Sequence, residues 1–499
     1  MPIKSVPGFL LLAILMTIDL TLSGQTACGV SDADQRSWIG RYQENIRHSG
    51  SLDLRSENRA LPIVFHLLGR DNGTGRPPLN NVLDLMCSTA NLLDSAGFDL
   101  YLIEGGVNIV DNEGVYFQHH LAGNQQTMRT LKMDSAVNVF VVADAGSGST
   151  GSVLGYYDLQ DDWIVISRNQ IKSGNVTLAH EIGHFLSLVH THFGWDGQPW
   201  QASIHGPKAP LIAPNGVTET EKMDGSNCLT AGDQLCDTPP DYNIGLSWTQ
   251  SCTYNGDARD PDSVALDPDE TQIMSYFSDA CRAVFSAEQM AIMQTDWDSP
   301  ARAFLRRSYV PSADTISDIP QLLMPTSAVQ TSTGDLSFSW TKTAGATHYL
   351  LQVDRAVGFN LSPRDFIVAD TFFTLSGPWI EQTSYFWRIF AFHESATCLA
   401  PSVPSTFSVE TITGLSPELT PPTWRAMYDQ NNQTIRVVDV EPGSSFELVN
   451  LEGKIICSMR EAAISRNRTF TFQVSHLPAG LYIIRDPRYN SLPQKIVIR

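Results

Sequence analysis

Leu178-Ala-His180-Glu181-Ile-Gly-His184-Phe-Leu-Ser187-Leu-Val-His190 decides how this 499-residue chain is read. In a helix, residues four apart differ by only about 40° around the axis, so His180 and His184 project from one face within reach of a single ion. Glu181, one position along, can bond a water beside that ion without competing as a ligand, which is the placement a general base requires. His190 would lie about 9 Å farther along the axis than His184 if the helix simply continued, so it joins them only if the helix stops and the chain turns sharply near Ser187. Three imidazole nitrogens at about 2.0–2.1 Å, with a fourth position left for water, make a catalytic zinc site. A left-handed backbone at Ser187 costs a non-glycine residue roughly 1–2 kcal/mol, which a packed domain absorbs.

Upstream of this segment, Leu61 to Leu68 (LPIVFHLL), Val137 to Ala143 (VNVFVVA) and Trp163 to Ser167 (WIVIS) are short apolar runs rich in Val and Ile, the pattern of buried strands. Asn80 to Ser95 carries Val82, Leu85, Met86, Leu92 and Leu93 at helical spacing, so a helix backs that sheet. An edge strand near Gly151 to Tyr156 is a candidate to take extended substrate by strand addition. Downstream lies Gln272-Ile-Met274-Ser-Tyr276, and the acidic stretch from Asp257 to Glu270 reads as a solvated face.

The histidine segment and Met274 occur together with Gly232-Asp233-Gln-Leu-Cys236-Asp237-Thr238-Pro239-Pro240, Ser251-Cys252, Asp279-Ala-Cys281-Arg and Phe285-Ser-Ala-Glu-Gln289-Met290. Over residues from about 60 to 300 this combination resembles the pappalysin (cytophagalysin) branch of the metzincin peptidases, ulilysin-like bacterial enzymes included. The resemblance implies an α+β catalytic domain with a mixed sheet, an active-site helix and a Met-turn, in which Met274 is the apolar floor beneath the zinc. It implies that Tyr276 lies near the scissile carbonyl oxygen, and that Asp233 and Thr238 belong to a calcium-stabilised loop. Asp279 becomes the candidate floor of a pocket for a basic residue after the cut. Family zymogens can be held latent by an N-terminal cysteine on the zinc, a part for which Cys28-Gly29 is placed; a Cys28–Cys87 disulfide is the other reading. The metzincin turn normally uses glycine where this chain has Ser187.

Eight cysteines stand at 28, 87, 228, 236, 252, 281, 398 and 457. An exported chain can oxidise them, and Cys228, Cys236, Cys252 and Cys281 cluster in one region, where three connectivities are open. Export is indicated by Met1-Pro-Ile-Lys4, the apolar run Phe9 to Ile18 and small residues around Gly24, the layout of a signal peptide over 1–24, followed by a short pro-segment over 25–59. No later stretch reaches the ~18 apolar residues a membrane span needs.

The catalytic domain is expected over 60–310 and a Pro/Ser/Thr-rich linker over 311–334. Residues 335–411 then show short alternating strands and, through Trp340, Tyr349 and TSYFWRIFA, resemble a fibronectin type III module. Residues 414–499 resemble the C-terminal sorting domain of the type IX secretion system through Leu451-Glu-Gly453-Lys454, Leu477-Pro-Ala-Gly480-Leu-Tyr482 and Lys495-Ile-Val-Ile-Arg499. That resemblance implies type IX machinery as a partner and places the product outside a Gram-negative cell or on its surface. The fold class expected is therefore α+β followed by two small all-β sandwiches.

A formal charge of −20 without a concentrated basic patch argues against nucleic acid as a partner, and 42% hydrophobic with 17% charged residues argues against wholesale disorder. The function expected is a secreted zinc endopeptidase acting on proteins or peptides. One rival keeps zinc chemistry but uses Glu219 or Glu221 as third ligand, with His190 a bystander. The other is a surface adhesin that retains the peptidase fold only as a scaffold; an intact Glu181 argues against it, because a scaffold needs no general base.

Overall fold

The computed structural model of the protein describes residues 28–49, 59–146, 153–248, 251–306, 312, 315–326, 334–398, 400–409, 424–440, 444–450, 453–460, 469–487 and 493–498. The signal-peptide stretch, Gly151, Leu451 and Arg499 lie outside them. The described residues form two compact units, one drawn from the first 407 residues less two short segments, the other chiefly residues 408 to 498.

In the first unit, α1 (Asp32–Ser49) precedes β1 (Arg59–Gly69), α2 (Leu79–Asp94), β2 (Phe98–Asp111), α3 (Glu113–Gln118), α4 (Ala122–Leu131), β3 (Val137–Val142), β4 (Gly155–Asp158) and β5 (Trp163–Ser167). The strands make one mixed sheet in the order β2-β1-β3-β5-β4, parallel except for β4, which runs antiparallel to β5 along one edge. Its central strands are buried on both faces, which is why β1, β3 and β5 read as continuous apolar runs rather than alternating ones. α2 buries Val82, Leu85, Met86 and Leu93 against the sheet, on the stripe its sequence spacing gives.

After the sheet comes α5 (Thr177–Phe185), buried at every position and packed on β4 and β5. From Phe185 to Ala287 the chain is largely irregular, with only the short α6 (Ala202–His205) and one 3-10 turn among the described residues. Such a segment has little backbone ladder to hold it, and two disulfides pin it instead: Cys228–Cys236 and Cys252–Cys281. These settle the connectivity left open by sequence. Helix α7 (Ala287–Asp298) closes the domain, its N-terminus satisfied by a Ser286/Gln289 capping box, and α1 packs along it.

The same unit carries a sandwich of antiparallel sheets. β6 (Leu322–Met324), β7 (Leu336–Trp340), β8 (His348–Asp354), β9 (Arg364–Val368), β10 (Phe372–Leu375), β11 (Thr383–Phe392) and β12 (Ser405–Val409) form the orders β10-β7-β6 and β12-β11-β8-β9. β6 lies within the stretch read as linker. Phe338, Trp387 and Phe407 meet edge-on between the sheets.

A third disulfide, Cys87–Cys398, ties α2 to the end of this sandwich and excludes the Cys28–Cys87 pairing, leaving Cys28 a free buried thiol. Asp365 accepts from the Leu79 amide at 2.6 Å, and Leu350, Phe390 and Phe392 share the apolar cluster of α2 and β1. The second unit has sheets β13 (Arg425–Asp429), β14 (Thr434–Val438), β17 (Phe470–Gln473) and β15 (Ser445–Val449), β16 (Ile455–Arg460), β18 (Gly480–Arg485), β19 (Gln494–Ile498) around Trp424, Phe446 and Ile484. Among the described residues no helix is long and apolar enough to cross a membrane.

Candidate metal centre

Helix α5 ends where the histidine spacing demanded. The Leu186 and Leu188 amides bond back to Ile182 and Gly183, and Ser187 between them is left-handed at φ 73°. Both ends of that turn are therefore satisfied, and Ser187 accepts the strain a glycine avoids. The reversal brings His190 Nε2 to 3.2 Å from His180 Nε2 and 3.0 Å from His184 Nε2. A tetrahedral ion at 2.0–2.1 Å from each ligand sets nitrogens about 3.3–3.4 Å apart, so these three rings fit a zinc ion. Their outer nitrogens are also engaged: His180 Nδ1 with Ile273 O at 2.8 Å, His184 Nδ1 with Leu188 O at 2.9 Å, and His190 Nδ1 with Asp196. Burial holds all three imidazoles below the ordinary histidine pKa, and neighbouring histidines lower His180 and His184 further. Neutral rings keep the lone pair that a metal needs.

Cys28 Sγ completes a four-residue group with the histidines, one ligand atom from each lying within 4.8 Å of the others, and all four residues are buried. The thiol is 3.6 Å from Glu181 Oε2. Burial pushes Glu181 up to about 8, offset in part by the Cys28 hydrogen bond and Arg282, and its Oε1 has no hydrogen-bond partner. A carboxylate of that character can both take and return a proton near neutrality.

Gly29 bonds Gly155 O on the edge strand β4 at 2.8 Å, with Cys28 and Gly155 in a parallel bridge. Ideal Cβ placement at Gly29 meets Val153 at 2.8 Å, so glycine is what lets the segment lie this close. The N-terminal segment thus occupies the edge that sequence assigns to substrate.

Met274 is fully buried, its Sδ against Gly183 of α5, and its carbonyl accepts from Thr191 at 3.3 Å. Tyr276 places its ring 4.8 Å from that of His190 and 5.9 Å from that of His180, and donates to Cys28 O at 3.3 Å. Burial pushes its pKa well up, so it remains a hydroxyl donor.

Asp233 and Thr238 lie apart from this centre, bonded to one another at 2.9 and 3.1 Å. Burial pushes Asp233 up, and burial with Asp233 beside it takes Glu221 to about 10. Among the described residues no Lys or Arg pairs with either carboxylate. Glu221 faces Asp233 and Glu219 accepts from Asn227 at 3.0 Å, so neither joins the histidines as a third ligand.

Asp279, the candidate pocket floor, is partly exposed. One carboxylate oxygen is taken by Arg282 at 2.5 Å and the other by Asn175 at 2.8 Å, so an internal cation already neutralises it.

Sequence reasoning missed the part played by α1. Gln35, Trp38, Tyr42 and Asn45 recur at spacings of three and four, one helix face, and all are buried. Trp38 stands 5.7 Å from the His184 ring, and Tyr42 donates to Asp233 O. Gln35 Oε1 accepts from the His190 amide at 2.7 Å. Their spacing could have been read as a buried stripe, but nothing in it names the surface it covers.

No family model and no curated protein matches the sequence. Among solved structures the chain is similar to a promirolysin mutant from Tannerella forsythia, at 15% identity and a TM-score of 0.36, over 56% of this chain and 96% of that one. It is also similar to the chicken CNTN1 FN1-FN3 domains, at 12% identity and a TM-score of 0.17, over 37% of this chain and 68% of that one. The fn3 domain of human contactin 1 is similar at 19% identity and a TM-score of 0.17, over 22% of this chain and 94% of that one.

Proposed function

We propose that this chain is a secreted zinc endopeptidase of the metzincin, pappalysin-like type, made as a latent form in which Cys28 blocks the metal. The observation that carries the reading is the convergence of the His180, His184 and His190 Nε2 atoms, 3.0–3.2 Å from His190 to each of the others, with Glu181 on the same helix. Zinc bound there supplies Lewis acidity, lowering the pKa of water and polarising a peptide carbonyl.

The chain's own groups do the rest. Glu181 takes the proton of the attacking water and returns it to the nitrogen of the leaving amine. Tyr276, once Cys28 O has left its hydroxyl, donates to the carbonyl oxygen as charge gathers there, a contribution of roughly a hundredfold in rate. Gly155 O, now bonded to Gly29, offers the same acceptor to an extended substrate lying along β4. Proteins or peptides are the substrates. Asp233 and Thr238 are oxygen ligands for a calcium ion, since a buried carboxylate with no basic partner among the described residues gains most from a hard cation. The signal-peptide layout and the sorting-domain resemblance support export through type IX machinery to the exterior of a Gram-negative cell.

Cleavage of a denatured protein by the unblocked Cys28→Ala chain tests the reading. Dialysis against a chelator is expected to abolish it and one equivalent of zinc per chain to restore it; cleavage that survives full metal removal overturns the proposal.

A further inference from the structure

We propose that Asp196 is a positioning residue for the metal centre: its carboxylate accepts a hydrogen bond from the Nδ1–H of His190 and so fixes the tautomer and ring angle that turn Nε2 toward the ion. The proposal rests on the zinc reading above and goes beyond it by assigning a residue outside the ligand signature.

The three histidines are not held alike. His180 and His184 stand on α5, and their outer nitrogens meet main-chain carbonyls that the fold itself fixes, Ile273 O and Leu188 O. His190 stands on irregular chain beyond the helix, and its outer nitrogen meets a side-chain carboxylate six residues on. A neutral imidazole has one N–H and one lone pair, so an acceptor at Nδ1 settles that the lone pair sits at Nε2. A carboxylate acceptor makes the ring a stronger donor to the metal than a carbonyl does, and such outer partners are worth about 10–100-fold in metal affinity.

Asp196 is built into this place. Its side chain is 5% exposed, so water does little to screen it, and the carboxyl of Asp32, which burial and Asp196 push up to about 7, stands beside it as a further neighbour. Gln35 Nε2 lies 3.0 Å from both Asp196 Oδ1 and His190 Nδ1. With the proton on Nδ1, that amide donates to the carboxylate rather than to the ring. His192 lies flat on His190, with centroids 4.6 Å apart and planes 12° apart, and its Nε2 is 3.4 Å from the same Oδ1. It also meets Tyr276 at 4.4 Å, so the His190 ring is walled on one face while Asp196 holds its edge.

His190, His192 and Asp196 also offer ligand atoms within 4.8 Å of one another, close enough to be considered as a second metal site. Serving two ions would strip His190 of its one remaining ring proton, whereas the carboxylate contact keeps that proton in place and needs no second cation.

The test uses the full chain and variants Asp196→Asn and Asp196→Ala. Metal stoichiometry, the zinc dissociation constant from chelator competition, and the visible spectrum of the cobalt-substituted protein are read alongside kcat and KM. Expected are one zinc per native chain, at least tenfold weaker binding in Asp196→Asn, a shifted cobalt spectrum, and KM within twofold. A folded Asp196→Asn that binds zinc within twofold of native with an unchanged cobalt spectrum overturns the proposal. So do two zinc ions per native chain, one of them lost in the variant. Should both variants fail to fold, the native protein labelled with 15N-histidine decides. A far-downfield Nδ1 proton that disappears in His190→Ala is expected, and its absence refutes the assignment. A native chain that binds no zinc brings down the zinc reading itself, and this proposal with it.

Discussion

Asn45 of the N-terminal helix donates a 2.9 Å hydrogen bond to the hydroxyl of Ser187, the left-handed residue at which the metal-binding helix ends. A second bond from the same amide reaches Asp296 on α7 at 2.8 Å. The strained turn is thus held from outside by α1. Ser187→Gly is expected to trade that hydrogen bond, about 1 kcal/mol, for relief of the left-handed strain, about 1–2 kcal/mol, and to leave stability near native. Ser187→Ala keeps the strain and loses the bond. Urea unfolding should therefore place the glycine variant above the alanine variant by roughly 1–2 kcal/mol; the reverse order would show that position 187 is not held left-handed.

Gly183 faces Met274 so closely that an added Cβ would stand 2.4 Å from its sulfur. Gly183→Ala is expected to cost about 1–3 kcal/mol by overpacking a site with no free volume. Met274→Ala in the same chain should recover part of that loss. A double-mutant cycle checks the coupling, and additive costs would refute the contact.

Much of this centre was legible beforehand. The helix through His184, the turn at Ser187 and the strands β1, β3 and β5 follow from spacing and apolar runs, because helices and doubly buried strands write their periodicity into sequence. What was not legible comes from long-range pairing. Cys87 finds Cys398 across 311 positions, Arg282 neutralises Asp279, and Gln35 reaches His190 from 155 residues away. No local pattern encodes such partners; each depends on where the irregular chain between α5 and α7, or the sandwich, comes to rest. Asp196 stayed hidden for the same reason, since a lone Asp in a loop carries no period.

Cys28 shares the space among the three histidines and touches Glu181. A full-length Cys28→Ala chain is expected to cleave a denatured protein at least ten times faster than the native full-length chain before any N-terminal cut. Equal initial rates would remove Cys28 from latency.

His119 is buried beside His120, and burial, with repulsion from His120, holds it at about 4. Its unfolded value is about 6.5, so between pH 6.5 and 4 the unfolded chain binds a proton that the folded chain refuses. The stability it confers is complete above about pH 6.5 and falls as pH drops, by up to ~3 kcal/mol near pH 4. Replacing it by glutamine removes that dependence: the native protein should lose about 2 kcal/mol relative to His119→Gln between pH 7 and pH 5. Parallel pH profiles of urea unfolding would contradict this.

The most direct test of the account is the rate at which the zinc-loaded Cys28→Ala chain cuts a denatured protein, compared with the same chain carrying Glu181→Ala. The account predicts new termini within the substrate from the first chain, and at least a hundredfold loss in the second at equal zinc content and unchanged folding. A folded, zinc-loaded and unblocked chain that cuts nothing, or a Glu181→Ala chain that cuts as fast, would contradict it.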